Sequence, residues 1–333
     1  MAGIYEMANG FGKVRIMSRK RILRKKQKDI LFLLTFLAPF FVIMIIFKVV
    51  PIGANIVYSL QKTHLNKPGE WIGLKNYVKL FHDELFWKAM KNTLLYLAYV
   101  GPVNVIGGFL FAMLLNAKQR GRTAVRAIIF MPYVLMTTVV GITWRWILDG
   151  NNGLLNYYLN RIGIEPIFWL SNTKTAMLGI ALASIWWTIG YNTVIYLAAL
   201  QDISTDVVEA SIIDGANALQ RVFHISIPLV KGTTFFVVLT TVINSMEMFS
   251  QVYVMTSGGP SYSTLTLVQY LYTKAFRETN VGYSSSVGVM LFIIILLMSV
   301  VVFLLLSGDN TAEKSGRRKG GGHGGKKERR KAA

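Results

Sequence analysis

The chain of 333 residues contains no cysteine, which excludes a disulfide framework, a thiolate metal site and a cysteine nucleophile. Charged residues are also few: they make up 16% of the sequence, and only 16 residues are Asp or Glu. Hydrophobic residues account for 53%, and they form runs longer than the strands or amphipathic stripes of a soluble core. The composition therefore indicates an integral membrane protein.

Sequence motifs that bind nucleotides or metals, or that carry an activated nucleophile, are absent as well. No G-x-x-x-x-G-K-[ST] phosphate loop occurs, and the glycine pairs at 107–108 and 258–259 have neither the lysine nor the strand-to-helix context of one. The four histidines and the carboxylates show no H-E-x-x-H spacing, and there is no G-x-S-x-G turn. We therefore expect no catalytic residue, no metal site and no cofactor bound by this chain.

Six apolar stretches are long enough to cross a hydrocarbon core of roughly 30 Å, which takes about 20 helical residues. They lie near residues 30–50, 93–115, 127–148, 176–199, 233–255 and 286–306. The expected fold class is an all-α integral membrane protein with six transmembrane helices over residues 30–306. Basic tails flank this domain at 1–29 and 307–333.

The distribution of Lys and Arg predicts the orientation of the spans. Six spans place both tails on one side of the membrane, together with the loops 116–126 and 200–232, and this side carries 24 of the 36 Lys and Arg residues, whereas the other loops carry 10. The positive-inside rule therefore predicts that both termini and the loop 200–232 are cytoplasmic. Topology also explains the net charge of +20 without a nucleic-acid partner, since a basic tail is expected to lie solvated near anionic lipid.

The loop 200–232 is a polar insert between the fourth and fifth spans, and its residues predict a helix, a turn and a second helix. Asp206 with Glu209 resembles a capping box, so the first helix is expected to begin near 205. Gly215 permits the left-handed turn that ends this helix before a second one at about 216–224. Pro228 suits the first turn of the fifth span. Further candidates for the N-cap of the first helix are Asp202, Ser204 and Thr205.

Apolar residues on this insert require a partner of some kind. Ile212, Ile213, Leu219 and Phe223 give it more apolar surface than water favours and too little for the bilayer interior. The residues alone support docking on a protein and resting on lipid headgroups equally well.

The stretch EASIIDGANALQRVFHISIP, residues 209–228, resembles the EAA signature of the membrane subunits of binding-protein-dependent ABC importers. That signature reads E-A-A, three residues, G, nine residues and I-x-L-P, and here Ser211 replaces its second alanine and Ile227 its leucine. The matching positions are Glu209, Ala210, Gly215, Ile225 and Pro228. Segments at 71–94, 126–156 and 252–276 resemble the carbohydrate-importing members, so the resemblance covers roughly residues 30–306.

This resemblance implies a type I importer fold in which the insert is the coupling helix that docks on a cytoplasmic ATPase. The implied partners are a second homologous permease, two ATPase subunits that bind ATP and Mg²⁺, an extracytoplasmic solute-binding protein, and a sugar or oligosaccharide. The implied location is the bacterial plasma (inner) membrane. The residues expected to form the docking surface are Glu209, Ala210, Ser211, Asp214, Gly215, Phe223 and Pro228.

Polar residues within the spans are candidates for a substrate path, because such residues are costly in lipid and usually face a cavity or another helix. On the fifth span Asn244, Glu247 and Gln251 are spaced to share one helical face, and Glu247 is the only acidic residue in any span. The fourth span carries a second stripe with aromatic neighbours, consisting of Ser184, Trp187, Thr188, Tyr191 and Asn192. Hydrogen-bonding and aromatic groups together suit a sugar, whereas the alternative role is hydrogen bonding between helices.

Two other functions remain open from the sequence. An ion-gradient-driven secondary transporter or channel would need buried ion-relay carboxylates or a repeat of broken helices, for which Glu247 is the one candidate. A membrane scaffold would use the insert to recruit some other cytoplasmic protein. Within the importer hypothesis, the 10 Lys and Arg residues of the outer loops point to an acidic sugar.

Overall fold

The computed structural model describes residues 32–64, 67–117 and 121–307. The chain divides into two units, Met1–Val57 and Tyr58–Ala333. In the described part of the first unit the chain is helical and belongs to α1 (Phe32–Ser59), which contains a π-helical turn at Ile45–Val49. The predicted N-terminal tail, and all but the first residue of the predicted C-terminal tail, lie outside the described residues.

The second unit is mostly helical, as the sequence predicts. Its helices, within the described residues, are α2 (Lys75–Phe81), α3 (Glu84–Asn116, with a π-helical turn at Val103–Gly107), α4 (Arg122–Val134), α5 (Thr137–Ile147), α6 (Leu154–Arg161), α7 (Ala176–Gln201), α8 (Thr205–Ile213), α9 (Ala218–Leu229, with a π-helical turn at Val222–Ser226), α10 (Lys231–Met246), α11 (Ser250–Met255), α12 (Leu267–Tyr272, continued by a π-helical turn at Thr273–Arg277) and α13 (Val281–Ser307).

Four of the described helices, α1, α3, α7 and α13, are long and apolar enough to cross a membrane. Two bent pairs bring the number to six if each pair forms one span: α4 with α5, bent by 99°, and α9 with α10, bent by 69°. The number six agrees with the sequence. Two of the predicted spans are interrupted in the structure. The predicted span 127–148 falls on α4 and α5, and the predicted span 233–255 falls on α10 and α11 with a break at 247–249.

A β-hairpin precedes α2, and the expectation of an all-α fold missed it. Strands β1 (Gln61–His64) and β2 (Lys67–Trp71) pair antiparallel. Their sequences lack the alternation of apolar residues that reveals a strand. The hairpin is held by its surroundings: the Asn76 amide donates hydrogen bonds to the backbone carbonyls of Ser59 and Gln61, at 2.8 and 3.0 Å.

Helix α7 packs against α3, α4 and α10, and small residues allow these helices to approach closely. A Cβ added to Gly190 of α7 would overlap the backbone carbonyl of Ile129 in α4, and one added to Gly108 of α3 would lie 3.0 Å from Cβ of Asn192. Contacts of this kind are typical of helices packed inside membranes. The polar face of α7 is therefore held at a fixed distance from α3 and α4.

Asp83 joins the starts of α3 and α13 to α12. Its side chain caps α3 by accepting a hydrogen bond from the Leu85 N–H at 2.9 Å, and it also accepts hydrogen bonds from the hydroxyls of Tyr270 and Tyr283. Burial raises the pKa of this carboxyl, but these hydrogen bonds outweigh burial, so that the pKa lies below its ordinary value. The charged form of Asp83 therefore fixes the three helices at this end of the bundle.

Candidate functional site

A cavity of about 300 Å³ lies where the break between α4 and α5 and the break between α10 and α11 meet α3 and α7. Non-helical backbone within a membrane domain is tolerated where it is buried in protein or lines a water-filled cavity. Both breaks border the cavity described here. The residues that line it are Tyr96, Val100, Asn104, Tyr133, Thr137, Trp187, Thr188, Tyr191, Asn192, Thr241, Asn244, Ser245, Glu247, Met248, Phe249, Ser250 and Gln251.

One wall of the cavity is aromatic. The ring of Tyr133 stacks on Tyr191, with centroids 4.6 Å apart and ring planes at 20°, and on Trp187 at 5.8 Å and 28°. Tyr133 lies in the last turn of α4, just before the first break, and the other two rings come from α7. The break therefore brings an aromatic side chain of one span against the aromatic residues of another.

The first break is stabilised by a side chain that also lines the cavity. Leu135 and Met136 are extended, with ψ of 144° and 134°, so the chain turns sharply between α4 and α5. The turn leaves the Leu135 carbonyl outside the helical hydrogen-bond pattern, and the indole N–H of Trp187 donates to it at 3.2 Å. Trp187 thus borders the cavity and also supplies the hydrogen bond that the Leu135 carbonyl beside it needs.

The second break corrects the prediction of a continuous polar stripe on the fifth span. Helix α10 ends at Met246, and Phe249, with φ −134° and ψ −56°, precedes α11. The Thr266 hydroxyl donates to the Met248 carbonyl at 2.9 Å within this break. The predicted residues Asn244, Glu247 and Gln251 nevertheless all line the cavity.

The other wall of the cavity is polar. The Asn104 amide donates to the Thr188 hydroxyl at 2.9 Å, which joins α3 to α7. Gln251 is 1% exposed, and its amide nitrogen has no hydrogen-bond partner within the described residues. The Glu247 side chain is exposed to the cavity and forms no ion pair in the described part of the chain.

Seven of the eight residues predicted for a substrate path line this cavity, and Ser184 does not. Ser184 is buried, and its hydroxyl donates to the Ile180 carbonyl one turn earlier at 2.9 Å. The hydroxyl proton is therefore hydrogen-bonded within α7. The residues that sequence reasoning missed include Tyr96, Asn104, Tyr133 and Phe249. Pro132, just before Tyr133, is the one sequence signal that marks a disturbed helix there.

The polar insert has the predicted helix, turn and second helix, but its caps differ. Helix α8 begins at Thr205, and the Ser204 hydroxyl caps it by accepting a hydrogen bond from the Asp206 N–H at 3.3 Å. The predicted capping box of Asp206 with Glu209 is wrong. A capping box occurs instead at the start of α9, where Asn217 and Gln220 exchange hydrogen bonds of 2.8 Å.

The turn between α8 and α9 is a Schellman motif centred on Gly215. The φ of Gly215 is 80°, its N–H donates to Ile212 O at 3.0 Å, and the next N–H, that of Ala216, donates to Ser211 O at 3.0 Å. The Arg221 guanidinium closes the turn from the other side by donating to the Ala216 carbonyl at 2.7 Å. These contacts join α8 and α9 into one unit with a fixed angle.

The sequence predicts Pro228 in the first turn of the fifth span, and this prediction is wrong. Pro228 lies near the end of α9, which continues to Leu229, and the 69° bend follows at Val230. Helix α9 continues through the π-helical turn at Val222–Ser226, beyond the predicted end at about 224.

Most of the predicted docking residues lie on the surface of the insert. Ser211 is the buried exception, and its hydroxyl donates to the Val208 carbonyl at 2.6 Å. Ile213, Leu219 and Phe223 are 85%, 68% and 59% exposed, an apolar surface that suits a protein partner. The exposed predicted residues are Glu209, Ala210, Asp214, Gly215, Phe223 and Pro228.

Comparisons with known proteins point to one family. Residues 104–308 match the family described as "Binding-protein-dependent transport system inner membrane component". The probable ABC transporter permease protein YurN of Bacillus subtilis is 34% identical over 263 residues, which cover 78% of this chain and 90% of the relative. The sulfoquinovosyl glycerol transport system permease protein SmoG of Agrobacterium fabrum is 30% identical over 266 residues, which cover 79% and 86%.

A solved structure shares the fold. It is that of a bacterial alginate ABC transporter in complex with an alginate pentasaccharide-bound periplasmic protein, and it superposes with a TM-score of 0.75 at 21% identity. The match covers 84% of this chain and 94% of that chain.

Proposed function

Because the chain belongs to the family of binding-protein-dependent transport system inner membrane components, we propose that it forms half of the path by which an ABC importer moves a sugar or oligosaccharide across the membrane. A second, homologous permease forms the other half. The observation that carries this proposal is the cavity beside the α4–α5 and α10–α11 breaks. It combines an aromatic wall with a hydrogen-bonding wall.

The chemistry of the cavity supports a saccharide as cargo. Aromatic rings stack on the C–H faces of a sugar, and amides and hydroxyls bond its hydroxyl groups. The side chains that we assign to the path are Trp187, Thr188, Tyr191, Asn192, Asn244, Glu247 and Gln251.

The remaining partners follow from the family and from the charge of the loops. In the proposed assembly both termini and the α8–α9 unit face the cytoplasm of a bacterium, where two ATPase subunits bind ATP and Mg²⁺. A solute-binding protein delivers the cargo to the opposite face. This orientation rests on the excess of Lys and Arg in the tails and in the loops on the same side.

The connection of the insert to the cavity supports a mechanism. The Schellman turn and the capping box make the α8–α9 unit rigid, and α10 follows directly after the bend at Val230. Helix α10 has 16 residues and ends at Met246, between the cavity-lining residues Ser245 and Glu247, so it spans about 24 Å between the two sites. Closure of the ATPase subunits thereby moves the cavity wall and switches the side to which the cavity opens.

Co-purification of the ATPase subunits with a Glu209→Ala variant tests the docking role of α8. Glu209 is exposed and forms no hydrogen bond or ion pair within the described residues, so its removal costs the fold little. We expect the variant to insert in the membrane and to retain several-fold less ATPase than the wild type. Glu165→Ala, which removes an exposed carboxylate from the loop before α7, is the control. Retention equal to that of the control would count against docking through α8.

A further inference from the structure

The charge of the cavity is negative. Among the residues that line it in the described part of the chain, Glu247 is the one with a charged side chain, and there is no Lys, Arg or His. The Glu247 carboxylate has no cation beside it there to neutralise it. A solute in this half of the cavity therefore meets an uncompensated negative charge.

A second polar group in the cavity also lacks a partner. The Gln251 amide nitrogen is buried and donates no hydrogen bond within the described residues. A buried donor without an acceptor is costly unless a ligand or water supplies one. The cavity wall therefore presents an acceptor at Glu247 and an unsatisfied donor at Gln251.

On the basis of the proposed function, we infer that Glu247 and Gln251 select for saccharides that carry no carboxylate or phosphate group. A sugar hydroxyl both donates and accepts, so it can donate to Glu247 while another accepts from Gln251. A carboxylate or phosphate accepts only, and Glu247 repels its charge. Selection against the wrong solute by an uncompensated charge is an effective way to gain specificity.

The Lys and Arg residues of the outer loops, which by themselves point to an acidic sugar, lie outside the cavity lining. Several of these residues already interact with other residues of the chain. Lys274 pairs with Glu278 at 2.8 Å, Lys88 donates to the Ser261 carbonyl at 2.7 Å, and Arg161 lies 4.8 Å from the ring centre of Tyr157. The charge that the cargo meets inside the cavity is therefore opposite to that of the outer surface.

Thiol labelling measures the sign of the cavity charge directly, because the chain has no cysteine of its own. A single Asn244→Cys substitution places a thiol in the cavity wall three residues from Glu247. In the assembled transporter, the rates at which a cationic and an anionic methanethiosulfonate modify this chain are compared. We expect the cationic reagent to react roughly tenfold faster relative to its rate on a free thiol. Adding Glu247→Gln should remove most of that preference.

A matched control uses Thr173→Cys, an exposed position outside the cavity, where Glu247→Gln should leave the ratio of the two rates unchanged. Any change in the reactivity of the thiol itself affects both reagents and cancels in the ratio. A ratio at position 244 that Glu247→Gln does not alter would overturn the charge selection while leaving the transport path in place. Failure of both reagents at 244, with normal labelling at 173, would instead show that the cavity is closed to water and overturn the proposed path.

Discussion

A Gly215→Val variant is expected to lose uptake, either because ATP hydrolysis is uncoupled from transport or because the ATPase subunits no longer bind. The φ of Gly215 is 80°, and a residue with a Cβ pays about 1–2 kcal/mol in this left-handed region, with a β-branched residue at the upper end. Apart from the neighbours of Gly215 in the chain, no atom of the described residues lies within 4 Å of a Cβ at this position, so the effect comes from the backbone. Loss of the turn changes the angle between α8 and α9, and uptake and ATPase activity of the purified transporter measure the result.

Two control variants separate the turn from other effects of the mutation. Gly215→Asn should keep most of the activity, because asparagine tolerates the left-handed conformation better than other residues. Gly232→Val adds the same side chain at the start of α10, where a Cβ likewise contacts none of the described residues beyond its own neighbours in the helix. Uptake at the wild-type level in Gly215→Val would show that the angle of the α8–α9 unit does not matter for coupling.

A Tyr191→Ala variant is expected to lower uptake roughly fivefold at a limiting concentration of cargo, since one stacked ring contributes about 1 kcal/mol. The ring of Tyr191 stacks on Tyr133 at 4.6 Å and borders the cavity, so its loss removes part of the aromatic wall. Initial rates of uptake over a range of concentrations measure the effect.

The matched control for the aromatic wall is Tyr191→Phe, which keeps the ring and removes the hydroxyl. We expect this variant to transport at close to the wild-type rate. Both variants should retain the ATPase subunits, because Tyr191 lies ten residues, or about 15 Å of helix, before the end of α7. Equal uptake by Tyr191→Ala and Tyr191→Phe would contradict a role of the ring in the path.

The sequence predicts those parts of the molecule whose physical cause is local. The turn at Gly215 is one example, because glycine at the end of a polar helical stretch has a direct conformational meaning. The helices α3, α7 and α13 are another, because each is a long apolar run. The caps were harder to predict, since Ser204, Asp206 and Asn217 are all good capping residues and the choice among them depends on where the chain turns.

The breaks in the spans depend on packing, and the sequence gives little sign of them. Residues 246–250 contain no glycine or proline, and the break there is stabilised by the hydroxyl of Thr266, which is far along the chain. The first break depends in the same way on the indole of Trp187 in another helix. The aromatic wall was therefore predicted only on its α7 side, because Tyr133 reaches the cavity through the bend between α4 and α5.

The measurement that tests the central claim most directly is uptake of a radiolabelled saccharide into proteoliposomes that contain this chain, its partner permease and the ATPase subunits. We expect accumulation that requires both ATP on the cytoplasmic side and the cargo-loaded solute-binding protein on the other, and no accumulation with an ion gradient alone. Accumulation by the chain without ATPase subunits, driven by an ion gradient, would contradict the account and identify a secondary transporter.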